Sequence, residues 1–324
     1  MWSGPHLRRN PTTPSPTRAA HGNKRAMKRT AFIALTLAGV FWGLGFPLGK
    51  LALKEIDAGH MILLRFVAAA IAALPFALRR AETRALFASP PVLAAGALYG
   101  IAFYIQFEGL ARVSVTLAAL LVGAMPALIA IAARLAGEKV GRASWVGVAA
   151  ATLGAVLIAG KPGGAGTPLG VALSVIALFI FVAWLMILRI APRSPTPMAI
   201  PSVAIIIGAL TILPLALLFH GAPKLDLSPV AWAAIVGQGV FATLLATAAW
   251  QFGAARVGSA SAGVFVNIEP LMGAAIGVTM FGDQLTFTLI AGGLLIVAGS
   301  FAVVFGERAG APEHLSDIPL TPMG

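Results

Sequence analysis

Ten apolar runs, each close to the length of a membrane crossing, follow one another from Thr30. They cover 30–51, 60–78, 92–110, 114–134, 144–160, 168–189, 198–219, 230–254, 259–281 and 287–306. A helix rises 1.5 Å per residue, so about 20 apolar residues cross the hydrocarbon of a bilayer. Barrel strands would be about half as long and would alternate apolar and polar positions. Several runs contain Gly or Pro, which helices in lipid tolerate where neighbours satisfy the backbone. Only 10% of the residues are charged and 59% are hydrophobic, against about 25% charged in a soluble domain. The polar surface is too small to cover a globule in water. The pattern predicts an all-α integral membrane protein with ten transmembrane helices.

The remaining segments orient the chain. Residues 1–29 are basic, rich in proline and free of Asp and Glu, and predict a disordered tail. An acid-free leader of this kind also suits a transit peptide, and Met27 is an alternative start, because MKRTAF leads straight into an apolar helix. Residues 307–324 form a C-terminal tail. Seventeen of the 23 Lys and Arg fall in the two tails and the even-numbered connections, and five in the odd-numbered ones. The positive-inside rule therefore predicts cytoplasmic termini in a multi-pass protein of the cell (inner or plasma) membrane. The net charge of +12 is spread over connections and tail instead of one face, which argues against nucleic acid as a partner. Without cysteine there is no disulfide and no thiolate metal site.

Leading into the ninth run, Ala255 to Pro270 reads ARVGSASAGVFVNIEP, and 144 residues earlier Ala111 to Pro126 reads ARVSVTLAALLVGAMP, identical at six of sixteen positions. The ten runs therefore divide into two five-helix units, 30–160 and 168–306. Five is odd, so the second unit crosses in the opposite sense. Inverted repeats of this kind place a substrate site at their interface, near the midplane. The two copies differ in chemistry: Gly123 and Met125 stand where the second copy has Asn267 and Glu269. A carboxylate at a helix centre costs about 2.5–3.5 kcal/mol even on insertion scales.

On these features the chain resembles the EamA-type members of the drug/metabolite transporter superfamily. The residues that carry the resemblance are Phe41-Trp42-Gly43 with Phe46, Arg65-Phe66, the run Ala118 to Glu138 ending Leu135-Ala136-Gly137-Glu138, and its counterpart Ala262 to Asp283 with Glu269-Pro270 inside. The similarity covers residues 30–306. It implies two inverted five-helix units that move small organic metabolites, such as amino acids or related compounds, often outward and without a nucleotide-binding domain. One departure is Gly282-Asp283, where the family's second unit often ends in Gly-Glu.

Glu269 is the strongest single candidate. It either binds a proton or a cationic group of the substrate, or serves as a fixed pair partner. Pro270 and Pro126 cannot donate to the carbonyls of Val266 and Val122, so both predict helix kinks, with Asn267 beside the first. Arg65 either recognises a carboxylate or phosphate, or pairs with Glu108 as one face closes, or extends to the headgroups. By position it lies nearer the opposite face from Glu269. Trp42, Tyr104 and Gln106 fall near mid-depth and are expected to line a cavity, together with Gln238. Trp184 and Trp250 lie nearer the cytoplasmic ends, where gate or interface roles are usual. Packing against lipid or neighbouring helices is the ordinary alternative for each ring.

Other motifs fall away. Gly154 to Lys161 imitates a phosphate loop, but has five residues between its glycines and Pro162 where Ser or Thr is needed. The five histidines lie in tails or at span ends, without metal-ligand spacing. No cofactor is expected. The sequence thus predicts a non-enzymatic secondary transporter working by alternating access, with a small-molecule substrate, driven by the substrate gradient or by protons as a coupling ion, and a monomeric or homodimeric state. An intramembrane enzyme acting on a lipid-linked substrate, and a passive pore, are the alternatives.

Overall fold

The computed structural model describes residues 16–137, 140–160, 166–192, 196–223, 225–257 and 264–310. Among them every element is helical, apart from an isolated antiparallel bridge between Val113 and Gly166. The long helices are α1 (Pro16–Ala52), α2 (Ala58–Leu78), α3 (Pro90–Leu110), α4 (Val115–Leu135), α5 (Arg142–Gly160), α6 (Pro168–Leu188), α7 (Ala199–His220), α8 (Pro229–Val257), α9 (Val264–Phe281) and α10 (Phe287–Gly310). Nine are long and apolar enough to cross a membrane; the apolar part of α5, Arg142–Ile158, is shorter. Helix α1 begins at Pro16, so residues 16–29 extend the first span where the sequence predicted a disordered tail. Past that proline, Ala, Arg, Lys and Met are good helix formers. Residues 1–15, most of the C-terminal tail and Glu138 lie outside the described residues.

Most of the packing has the two-fold symmetry of the repeat; among the described residues the contacts of α4 with α5 and α10 are not matched by α9 with α10 and α5. The main partnerships are α1 with α8 and α9, α2 with α7 and α8, α3 with α6 and α7, α4 with α6 and α9, and α5 with α10. Exchanging each helix for its counterpart five places along turns α1–α8 into α6–α3, α1–α9 into α6–α4, and α2–α8 into α7–α3. The pairs α2–α7, α4–α9 and α5–α10 map onto themselves. A two-fold axis between α1–α5 and α6–α10 produces this list. Small residues make the crossings close: a Cβ on Gly100 of α3 would lie 2.7 Å from the Gly208 carbonyl oxygen of α7. Large apolar residues such as Ile71, Leu210, Leu218 and Leu294 face outward, an arrangement suited to acyl chains and costly in water.

The two faces of the bundle differ. All five helices that start where α1 ends, here called the distal face, carry a side-chain cap. Asp57 caps α2, Ser114 caps α4, Thr167 caps α6, Ser228 caps α8 and Thr286 caps α10, at 2.9–3.2 Å. Helices α3 and α7, which start on the other face, have no side-chain cap.

Three helices are irregular inside the bundle. Helix α4 breaks into Val115–Val122 and Met125–Leu135, and α9 is interrupted at Asn267 before Ile268–Phe281. At both breaks the backbone shortens its bonds to three residues, from Gly123 to Leu120 at 3.0 Å and from Asn267 to Val264 at 3.3 Å. Gly123 and Asn267 are equivalent positions of the repeat, each three residues before its proline. Helix α8 carries a π-helical stretch, Gln238–Leu245.

Candidate functional site

Helix α2 enters from the distal face and carries Arg65 into the interior, where it is 2% exposed. It does not extend to the surface, and Glu108 is not its partner. Its Nε donates to Thr243 Oγ1 at 2.8 Å. Thr243 lies in the π-helical stretch of α8, and its hydroxyl donates in turn to the Gln238 carbonyl at 3.1 Å, five residues back. Wide turns of this kind concentrate at functional sites, because they redirect a side chain out of the regular helix.

An aromatic cage encloses the guanidinium. Its carbon stands 4.4 Å from the Phe103 ring centre and 5.1 Å from that of Phe107. Tyr99, Phe103 and Phe107 follow at intervals of four, so one face of α3 presents all three rings. Tyr99 packs 4.9 Å from Phe103 and 4.9 Å from Trp184 of α6. Phe66 and Phe181 complete the wall. The cage stabilises a cation without neutralising it. Arg65 Nη1 and Trp184 Nε1 are both buried without a hydrogen-bond partner. Two buried donors on α2 and α6 are therefore left unsatisfied.

Glu269, half-buried on α9, and Arg65 lie within each other's electrostatic reach. The sequence suggested opposite faces for these two, and helices α2 and α9 enter from opposite sides. Asn267 is 2% exposed, and its Nδ2 donates to the Val264 carbonyl at 3.4 Å while Oδ1 has no partner. Gln238, fully buried, donates from Nε2 to the Gly45 carbonyl of α1, and its Oε1 has no partner.

The other candidates separate. Trp42 and Trp250 meet at 5.3 Å between ring centres, joining α1 to α8. Gln106 is buried on α3. Tyr104 belongs to the distal face, because its hydroxyl lies 3.1 Å from Nε2 of His220, the last residue of α7. Pro126 and Pro270 each follow a helix break.

Sequence reasoning missed Thr243, the phenylalanines of α3, and a distal cluster of Asp57, His60, Glu108 and His220. The four-residue spacing of Tyr99, Phe103 and Phe107 was a readable signal. Nothing in the sequence pairs His60 with His220, 160 residues apart. Among the described residues no group of His, Asp and Glu is arranged to hold a metal ion.

A family model described as the EamA-like transporter family matches residues 29–160 and 168–305 separately, one match per five-helix unit. An uncharacterised transporter of Archaeoglobus fulgidus is 26% identical over 86% of this chain and 99% of its own length. An uncharacterised protein of Pseudomonas aeruginosa is 30% identical over 89% of this chain and 97% of its own. A crystal structure at 18% identity and TM-score 0.60, covering 89% of this chain and 99% of that one, shares the fold.

Proposed function

The chain belongs to the EamA-like transporter family, and from that premise we propose that it is a secondary transporter exporting small organic metabolites by alternating access. It is a multi-pass membrane transporter; direction, cargo and coupling are our reading. The observation that carries the reading is Arg65 itself: a buried guanidinium with an unpartnered Nη1, caged by rings from both units. A buried charge left partly unsatisfied is costly, and a carboxylate or similar anionic group would complete it in a bidentate fashion. The rings beside it suit an apolar or ring-bearing body. Glu269 supplies the opposite charge in the same interior and is the proposed carrier of a coupling proton. By the positive-inside rule the distal face is the outer one, in the cell (inner or plasma) membrane. The family match and the transporter-named relative favour transport over an intramembrane enzyme.

The test is retention in proteoliposomes loaded with a panel of amino acids, organic acids and organic amines, with and without a pH gradient. Arg65→Ala should abolish movement of carboxylate-bearing compounds while leaving the protein folded in lipid. Glu269→Gln should remove the response to the pH gradient. Unchanged rates in Arg65→Ala overturn the substrate site, and an unchanged pH response in Glu269→Gln overturns the proton carrier.

A further inference from the structure

At the distal face two histidines reach across the boundary between the units in opposite directions. His60, in the first turn of α2, is 1% exposed. Its Nδ1 lies 2.7 Å from Asp57 Oδ2, and its Nε2 lies 2.9 Å from the carbonyl oxygen of Gly221, just past α7. His220, the last residue of α7, returns the contact. Its Nδ1 lies 3.2 Å from Asp57 Oδ1, and its Nε2 lies 2.9 Å from Glu108 Oε1 and 3.1 Å from the Tyr104 hydroxyl. Glu108 also pairs with Arg112 at 2.7 Å. The rings stand 5.8 Å apart, and a Cβ on Gly59 would strike the His220 ring. Around the pair, α2 contributes Asp57, α3 contributes Tyr104 and Glu108, and the connection after α3 contributes Arg112. Of the neighbouring charges, Lys50 is bound to the Leu110 and Val113 carbonyls and Glu55 to Ser228. In the connection after α7, Asp226 is exposed, and Lys224 lies outside the described residues.

Proton counting decides what this arrangement holds. A carbonyl oxygen and a carboxylate both accept only. His60 therefore needs a proton on each ring nitrogen, or Asp57 must carry one. Either way the closed cluster holds one proton more than a neutral imidazole beside a carboxylate. His220 stands between Asp57 Oδ1 and Glu108 Oε1, its Nε2 hydrogen-bonded to the Tyr104 hydroxyl while Glu108 Oε1 accepts no hydrogen bond. With both rings neutral the cluster of Asp57, Glu108 and Arg112 has a net charge of −1; the first extra proton brings it to zero. Burial pushes the Asp57 carboxyl up, but the backbone N–H of His60, its ring and the charges of both imidazoles outweigh this and hold Asp57 below the usual carboxylate range.

We propose that His60 and His220, with Asp57 and Glu108, form a proton-binding clasp that locks the distal face closed. Without the extra proton, His60 turns a lone pair toward the Gly221 carbonyl, which makes the link between α2 and α7 repulsive, or toward Asp57, which sets the ring against the carboxylate that His220 of α7 also approaches. Protons reach the clasp from the distal side, where the side chains of Asp57 and His220 are 40% and 21% exposed. They return to that side when it opens. The clasp thus biases the conformational equilibrium, as any ligand of one state does, and is separate from the Glu269 proton proposed above. Reading its closure as one half of an alternating-access cycle rests on the transporter assignment.

The test needs no substrate. The chain has no cysteine, so Ala111→Cys with Leu225→Cys gives two unique spin-label sites at exposed positions beyond α3 and α7. Distances are measured by pulsed EPR in lipid nanodiscs between about pH 5 and about pH 8.5, the span in which histidine side chains change charge. The expected result is one short distance in acid and a second, longer population in base. Adding His60→Gln or His220→Gln should abolish the pH dependence. A distance that ignores pH overturns the clasp. So does a pH response that survives both histidine substitutions. None of these outcomes depends on a cargo, so they stand apart from the proteoliposome result.

Discussion

Replacing Thr243 by valine keeps the shape of the side chain and removes one oxygen. That oxygen accepts the 2.8 Å hydrogen bond from Arg65 Nε, in a position where Arg65 is 2% exposed and water does not replace it. A hydrogen bond to a charged group contributes about 1.5–3 kcal/mol. Nη1 already lacks a partner, so Thr243→Val leaves a second guanidinium donor unsatisfied, with only the Phe103 and Phe107 faces beside it. The hydroxyl also donates to the Gln238 carbonyl at 3.1 Å, a neutral bond contributing about 0.5–1.5 kcal/mol. In an Arg65→Met background the charge is gone and only this smaller loss remains. The expected coupling between the two substitutions is therefore about 1 kcal/mol or more. Reversible unfolding in mixed micelles, followed by tryptophan fluorescence, measures all four corners of the cycle. Equal costs of Thr243→Val in the two backgrounds would refute the claim that the π-helical turn exists to hold Arg65.

Two further outcomes follow from distances. Gly100→Ala puts a Cβ 2.7 Å from the Gly208 carbonyl oxygen and 2.9 Å from its Cα, where only backbone can yield, so it should cost about 1–3 kcal/mol in the same unfolding assay; Gly237→Ala meets nothing within 4 Å and should not destabilise. Glu55 is held below the usual carboxylate range by the Ser228 hydroxyl, at 2.6 Å, and then by its backbone N–H, at 2.7 Å, against a small desolvation in the other direction. A depressed carboxylate stabilises above its unfolded value and loses that contribution as pH falls through the folded one. Hydrogen exchange at the Ser228 amide should therefore lose protection in acid, beyond the intrinsic pH effect, and Glu55→Gln should show no such loss; identical profiles would show that the contact does not order the start of α8.

The sequence by itself determined the class of molecule. Helices must satisfy their own backbone in lipid, so apolar run length alone specifies where the chain crosses. The odd number of runs per repeat specifies that the two units are inverted. The EamA resemblance and the all-helical architecture were legible for this reason, and the breaks near Pro126 and Pro270 follow from the missing N–H of proline. Boundaries were less legible, because nothing in an apolar pattern tells where a polar helix such as residues 16–29 begins. The interior of the site was decided only in three dimensions. Arg65 and Glu269 are 204 residues apart on helices that enter from opposite sides, and only the folded bundle brings their charges within each other's influence. Thr243 reaches Arg65 because a π-helical stretch turns it there, and one hydroxyl in an apolar helix carries no such instruction. His60 and His220 each ended a span unremarkably. The two-fold packing brings α2 and α7 side by side, and proximity alone gives those two rings a shared proton count.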